Sequence, residues 1–302
     1  MAGFQKAKRE QIWVKVLFTG PSGSGKTYSA LRMATGFAAK DGGRVAFVDT
    51  ENGRVRYYAN EFDFDEMQLE APYTSEKYME AINAAISSGY RTLVIDSLSH
   101  EWLWCNDLVN NMPGNSFQNW GKVKTQHHNK LMEMVIQSPI HIFATARGKD
   151  KWSIEEKDGK KTPRKVGEGS VQSDDVEYNY TVTFNLTQDS NVATCTKDNT
   201  HIFEGRYEKI TEADGEKLYA WANTGEKPAP KPEKEKQFSA VSARTLDDVF
   251  ADIKSSIAAK LNDGVARDEI VDIVKTTCGF ANYQKVADIA VAEEVLAAVK
   301  AA

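Results

Sequence analysis

Short apolar runs alternate with longer stretches of mixed hydrophobic and polar residues over the first part of the chain. Four apolar runs predict buried strands over residues 12–20, 44–51, 91–97 and 140–147. Apolar residues at helical spacing lie between them and predict helices over residues 27–40, 75–90 and 121–138. We expect Ser75 to cap the second helix. The alternation predicts an α/β fold with a mostly parallel twisted sheet covered by helices.

The pattern changes beyond the fourth strand. Residues 147–174 have no clear periodicity, which is typical of a long functional or disordered loop. Three further strand-like runs, joined by short turns, are expected to extend the sheet at one edge, over residues 176–188, 191–199 and 201–210.

A segment rich in Pro, Lys and Glu divides the chain. It has almost no apolar residues and predicts an extended linker over residues 223–243. After it, residues 245–264 place apolar side chains on one helical face, and two or three shorter helices follow. We therefore expect a larger core domain over residues 1–222 and a small C-terminal helical domain over residues 244–302.

Composition limits the classes of protein that the chain can represent. Its three cysteines, Cys105, Cys195 and Cys278, lie far apart, which disfavours a zinc site or a disulfide framework and fits a reducing cytoplasm. No apolar run approaches the ~20 residues of a membrane helix, so we expect no membrane partner. The net charge is −5, so binding to nucleic acid would need a local basic patch.

A glycine-rich stretch carries the strongest chemical signal. It matches the pattern G-x-x-x-x-G-K-[ST] and lies between a predicted strand and a predicted helix, with the residues Gly20, Pro21, Ser22, Gly23, Ser24, Gly25, Lys26 and Thr27. In such a loop, converging backbone amides bind polyphosphate, the lysine reaches the β- and γ-phosphates, and the hydroxyl binds Mg²⁺. We therefore expect ATP and Mg²⁺ as cofactors, with Tyr28 continuing the binding segment. The alternative is a tight turn that merely contains many glycines.

Polar residues at strand ends complete the expected site. Asp96 would hold the metal with Thr27, or it could cap a turn. Asp49 and Glu51 follow another strand, and either could orient or deprotonate the attacking water, or cap a helix. Thr145 could sense the γ-phosphate, or it could be an ordinary threonine at a strand end.

These residues carry a resemblance to a known family. The stretches "RVAFVDTENGRVRYYA", "TLVIDS" and "HIFATAR" resemble the RecA-type ATPase core. Residues 116–152 and 164–199 are more closely similar to phage-encoded RecA-like ATPases, which act beside single-strand DNA-binding proteins in recombination and single-strand annealing. The similarity covers roughly residues 10 to 222. It implies that Glu51 is the catalytic glutamate.

The resemblance also implies a homo-oligomer, a ring or a filament, with ATP bound between subunits. Basic residues on a late strand of the family reach the ATP of the neighbouring subunit, and Lys197 corresponds to one of them. The family usually has Lys-Asp-Arg there, whereas this chain has Lys197-Asp198-Asn199. Because the second cation is missing, hydrolysis would be slow or would depend on another residue such as Arg147.

The long loop is a candidate for contact with single-stranded DNA. Basic residues around an aromatic ring suit single strands, because cations follow the backbone and the ring stacks on a base. The candidates are Lys149, Lys151, Trp152, Lys160, Lys161, Arg164 and Lys165. The alternative is a solvated hairpin of mixed charge. Residues 110–124 form a second candidate.

Two functions remain from the sequence. The first is an ATP-hydrolysing RecA-like protein that acts on single-stranded DNA in phage recombination, annealing or replication, in the cytoplasm of a bacterial host and beside a single-strand DNA-binding protein. The second is a nucleotide-gated adaptor that recruits a replication or packaging partner through its helical tail. A small-molecule kinase ranks behind both, because no lid-like arginine cluster is visible.

Overall fold

The computed structural model describes residues 4, 6–157, 160–173, 175–225, 246–262, 264–280, 282–286 and 289–301. The chain divides into two compact units, Met1–Pro228 and Ala229–Ala302. Most of the predicted linker lies outside the described residues. Among the described helices, none is long and apolar enough to cross a membrane.

A central sheet organises the first unit. Its strands are β1 Lys15–Gly20, β2 Val45–Asp49, β3 Phe64–Gln68, β4 Thr92–Asp96, β5 His141–Lys157, β6 Lys160–Ser170, β7 Val182–Leu186, β8 Ala193–Asp198 and β9 Tyr207–Glu208. They lie in the order β3-β2-β4-β5-β1-β7-β8-β9, and β6 pairs with the distal part of β5. The strands from β3 to β7 in this order are parallel, whereas β8 and β9 join antiparallel at one edge. The predicted α/β fold with a mostly parallel sheet is confirmed.

Six helices flank the sheet: α1 Lys26–Asp41, α2 Ser75–Ser87, α3 Ser99–Asn111, α4 Ser116–Val123, α5 Asn129–Gln137 and α6 Glu212–Ala222. A π-helical turn, Lys124–His128, joins α4 to α5. Short 3-10 turns lie at Arg54–Tyr58 and Val176–Asn179. In the second unit, α7 Leu246–Asn262, α8 Arg267–Cys278 and α9 Ile289–Ala301 share a separate apolar core.

Both faces of the central strands β1, β2 and β4 are buried. On one face, Phe18 of β1 and Phe143 of β5 pack in a cluster with Phe37 of α1. On the other face, Leu17 and Ile142 join a cluster with residues of α2 and α5. Burial on both faces explains why these strands read as continuous apolar runs rather than as alternating ones.

The helices α1 and α6 cross at very short range, which requires glycine on both. A Cβ atom built on Gly36 would lie 2.0 Å from the carbonyl oxygen of Glu212, and one on Gly215 would lie 2.1 Å from that of Met33. Since both obstacles are backbone atoms, any larger residue would force the two helices apart.

Several predictions of local structure are wrong. The cap of α2 is Thr74, whose hydroxyl accepts a hydrogen bond from the amide of Lys77 at 3.3 Å, while the buried Ser75 hydroxyl donates to Glu101. The segment 147–174 is not an irregular loop, because β5 and β6 pair as an antiparallel hairpin with a bulge between Lys151 and Trp152. Only Tyr207–Glu208 of the third late run is a strand. The elements β3, α3 and α6 were not predicted.

Candidate nucleotide-binding site

The glycine-rich segment forms the turn between β1 and α1. Gly20, Gly23 and Gly25 adopt φ angles of 148°, 80° and 83°. A Cβ atom on Gly20 would lie 2.5 Å from the carbonyl oxygen of Leu186 in β7, so only glycine fits there. Gly25 is the N-cap of α1 and provides no capping side chain. The first amides of the helix therefore remain available to an anion.

Two polar side chains inside this loop fit a bound polyphosphate. The ammonium of Lys26 reaches across the loop and donates to the carbonyl of Pro21 at 2.8 Å. Burial lowers the pKa of Lys26, and the nearby carboxylates of Asp96 and Glu51 oppose that shift. The hydroxyl of Ser24 is buried without a hydrogen-bond partner. A phosphate group would supply the acceptor that this hydroxyl lacks.

Asn191, which was not predicted as a site residue, fixes the loop from outside. Its side-chain amide donates to the carbonyl of Gly23 at 3.1 Å, and its own backbone adopts a φ of 55°. It belongs to the turn between β7 and β8, which places this part of the sheet edge over the phosphate loop. No local motif marks it in the sequence, because the contact joins segments that are 168 residues apart.

Asp96 connects three elements beneath the loop. Its carboxylate accepts a hydrogen bond from the hydroxyl of Thr27 at 2.6 Å, and it accepts another from the hydroxyl of Thr145. Burial raises the pKa of Asp96, and the two threonine hydrogen bonds oppose the shift. The strand β5, which carries Thr145, lies between β1 and β4. Carboxylate and hydroxyl oxygens are the ligands that Mg²⁺ prefers, so Thr27 and Asp96 fit a magnesium ion.

The two acids after β2 have different roles. Asp49 is buried, and its carboxylate accepts hydrogen bonds from the amides of Glu51, at 2.7 Å, and Gly53. It therefore shapes the turn. The carboxylate of Glu51 instead meets the guanidinium of Arg147, at 2.7 and 2.9 Å from Nη2 and 3.1 Å from Nε. Of the two candidates for the catalytic acid, the geometry favours Glu51.

Tyr28 and Lys197 point to neighbouring backbone and side chains. The hydroxyl of Tyr28 donates to Glu61 at 2.9 Å, so its side chain is directed towards the segment after β2 rather than towards the phosphate loop. The ammonium of Lys197 donates to the carbonyls of Glu177 and Tyr178 at 3.0 and 2.9 Å. These contacts lie within one protomer, and the role of Lys197 towards a neighbouring subunit stays a prediction.

The DNA-binding candidates all lie on the hairpin of β5 and β6. Trp152 pairs with Lys165, and Lys149 and Lys151 pair with Gly169 and Gly167. Lys160, Lys161 and Arg164 lie on the opposite strand. The side chains of these residues are outside what the structure describes, so contact with DNA stays a prediction.

Comparison with known proteins identifies a domain family. The AAA domain family AAA_24 matches residues 13–217. The chain is 40% identical to Protein RecA of Enterococcus mundtii over 83 residues, which are 26% of this chain and 24% of the relative. It is 39% identical to Protein RecA of Lactiplantibacillus pentosus over 83 residues, which are 26% and 22% of the two chains. The chain thus spans about a quarter of the length of the curated relatives that it matches.

Among solved structures, a KaiC-like protein from Pyrococcus horikoshii OT3 matches with a TM-score of 0.37 and 16% identity, over 66% of this chain and 82% of that one. The family match covers more than half of the chain and includes the phosphate loop, Glu51, Asp96 and Thr145. The chain therefore belongs to the AAA domain family, whose matched segment includes the P-loop motif.

Proposed function

We propose that this protein binds and hydrolyses ATP and that its turnover is coupled to single-stranded DNA. The observation that carries the proposal is the convergence of the phosphate loop with Thr27, Asp96, Thr145 and Glu51 at one edge of the sheet. This arrangement combines an anion site, a pair of magnesium ligands and a candidate base.

Nucleotide binding uses groups that the fold already holds in place. The amides of the loop and the start of α1 bind the phosphates, and Lys26 exchanges its bond to the Pro21 carbonyl for a phosphate oxygen. Thr27 and Asp96 would hold a magnesium ion, which would neutralise phosphate charge. The hydroxyl of Thr145 keeps the Asp96 carboxylate oriented.

Hydrolysis requires a base beside the terminal phosphate. Glu51 follows β2, and Asp96 ends β4, the strand that pairs with β2 residue for residue, Asp49 opposite Asp96. The two acids therefore lie at the same carboxyl edge of the sheet. Glu51 takes the proton of the attacking water, while Lys26 stabilises the charge that develops on the phosphate.

The hairpin of β5 and β6 supports the DNA part of the proposal. Residues 148–170 contain seven basic and five acidic side chains, in a chain whose net charge is −5. The part of β5 that forms the hairpin continues directly from the part that lies in the central sheet and carries Thr145. A basic hairpin with one aromatic residue suits a single strand, which offers phosphates and unpaired bases.

The proposal extends to the assembly and its setting. The protein forms a homo-oligomer, a ring or a filament, in which Lys197 leaves its carbonyl partners to reach the ATP of the neighbouring subunit. It works in phage recombination, annealing or replication in the cytoplasm of a bacterial host, beside a single-strand DNA-binding protein. The resemblance to phage RecA-like ATPases supports this setting.

The test measures ATP hydrolysis with and without a single-stranded oligothymidylate. We expect the wild type to hydrolyse ATP faster with the oligonucleotide, and Lys26→Ala to lose hydrolysis while it remains folded. Charge reversal at Lys160, Lys161 and Arg164 should remove the stimulation, whereas reversal of the exposed Lys130 on α5 should preserve it. Nucleotide binding without any stimulation would contradict the DNA proposal and favour the nucleotide-gated adaptor.

A further inference from the structure

Arg147 engages the candidate catalytic base. Its guanidinium contacts both oxygens of the Glu51 carboxylate, with Nη2 at 2.7 and 2.9 Å. The Glu51 side chain is 18% exposed and that of Arg147 is 42% exposed, so water screens this ion pair only in part. Because the guanidinium engages both carboxylate oxygens, Glu51 must leave this ion pair before it can contact an attacking water.

A chain of hydrogen bonds fixes the guanidinium in this position. Nη2 of Arg147 lies 2.7 Å from Nε2 of His100, and Nδ1 of His100 lies 2.7 Å from the hydroxyl of Thr50. Since the guanidinium can only donate, Nε2 of His100 must accept the hydrogen bond. The proton of the neutral His100 ring is therefore on Nδ1. Burial and the charge of Arg147 lower the pKa of His100, which agrees with a neutral ring. The Thr50 hydroxyl then donates to the backbone carbonyl of Asp96 or Ser97.

Arg147 also lies at the root of the hairpin. Its amide donates to the hydroxyl of Ser99 at 2.8 Å, and its carbonyl accepts from the amide of Val171, which follows β6. The next residue, Gly148, passes so close to the phosphate loop that a Cβ atom there would lie 2.6 Å from the carbonyl carbon of Gly20. A displacement of the base of the hairpin would therefore move Arg147 and the phosphate loop together.

We propose that Arg147 is a positioning residue that restrains Glu51 in an unreactive ion pair, and that a ligand bound to the hairpin releases it. This inference rests on the proposed function, since it makes Arg147 the link between the hairpin and the base. A catalytic cation speeds hydrolysis, whereas the restraint by Arg147 slows it. Loss of Arg147 should therefore accelerate basal hydrolysis.

The test compares Arg147→Gln with the wild type by steady-state ATP hydrolysis, with and without oligothymidylate. We expect kcat without the oligonucleotide to rise about tenfold, as for a barrier lowered by roughly one ion pair, with KM for ATP unchanged. The stimulation ratio should fall towards one. Arg147→Lys, which keeps one charge but not the bidentate contact, should lie between the two proteins.

The matched control is Arg54→Gln. Arg54 is 70% exposed and lies 4.0 Å from the same carboxylate, so its loss should change the basal rate less than about twofold. Thermal melts of all variants report whether the fold is kept.

The outcomes separate this inference from the proposed function. A basal rate of Arg147→Gln equal to or below that of the wild type would overturn the restraint, and a lower rate in both conditions would make Arg147 a catalytic cation. An unchanged stimulation ratio would overturn the link to the hairpin. A wild type that DNA does not stimulate would contradict the proposed function, while a faster Arg147→Gln would still support the restraint.

Discussion

The close passage of β5 over the phosphate loop predicts a specific effect of Gly148→Ala. The added Cβ would lie 2.6 Å from the carbonyl carbon of Gly20 and 2.9 Å from both its Cα and its carbonyl oxygen. Ordinary contact begins at 3.4 Å, so one of the two backbones must move by about 0.8 Å. Overpacking of this kind costs about 1–3 kcal/mol. If the phosphate loop yields, ATP binding weakens by about 5- to 150-fold.

Calorimetric titration of MgATP into Gly148→Ala and the wild type measures this effect. Gly43→Ala is the matched control, because a Cβ atom there meets nothing within 4 Å. We expect Gly43→Ala to bind as the wild type does. If Gly148→Ala also bound ATP with the affinity of the wild type, the position of the phosphate loop would not depend on its packing against β5, and the reasoning would be refuted.

Three further changes test separate parts of the structure. Thr27→Val keeps the side-chain shape but removes one hydrogen-bond donor to the buried carboxylate of Asp96, so Mg²⁺ should no longer strengthen ATP binding. If Mg²⁺ raised the ATP affinity of the variant and of the wild type equally, Thr27 would not have this role. Burial lowers the pKa of His141 to about 3, so the folded state resists protonation that the unfolded chain accepts below pH 6.5. Stability should therefore fall by about 1.4 kcal/mol for each pH unit between pH 6.5 and about 3. Urea unfolding of His141→Gln should show a shallower loss, whereas an identical slope would exclude this residue as the cause. Gly36→Ala should lower the free energy of unfolding in urea by about 3 kcal/mol, because its Cβ would lie 2.0 Å from the backbone of α6. Gly121→Ala, at an exposed helical position, should be neutral or stabilising. Equal urea midpoints for the two variants would show that the crossing of α1 and α6 can relax.

The strands that surround the site were predictable because both of their faces are buried. Such strands read as continuous apolar runs, and their ends fall within a few residues of the predicted ones. The strand β3 escaped prediction because it lies at the sheet edge and is largely exposed. The helix α6 packs closely through Gly215, a residue that gives no hydrophobic signal.

The segment 147–174 was predicted first as a loop, with a solvated hairpin only as the alternative, for a physical reason. Its strands beyond residue 148 pair with each other, and charged residues occupy successive positions, as at Glu155 and Glu156 or at Lys160 and Lys161. Successive charged residues break the alternation of apolar and polar positions by which a half-buried strand is recognised, so hydrophobic periodicity does not report this hairpin.

The phosphate loop was predictable because its whole motif is local, whereas the pairing of Arg147 with Glu51 was not. These residues are 96 positions apart, and their contact depends on the order in which β2, β4 and β5 lie in the sheet. Likewise, the pattern of strands and polar residues does not by itself separate Asp49 from Glu51, and only the family resemblance favours Glu51. The turn decides it, because two backbone amides bind the carboxylate of Asp49.

Calorimetric titration of ATP, with Mg²⁺ and then with a chelator, tests the central claim most directly. The phosphate loop, Thr27 and Asp96 predict one ATP per protomer in the wild type, weaker binding when Mg²⁺ is removed, and loss of binding in Lys26→Ala. Heat of binding that is absent from the wild type, or that persists unchanged in Lys26→Ala, would contradict the account.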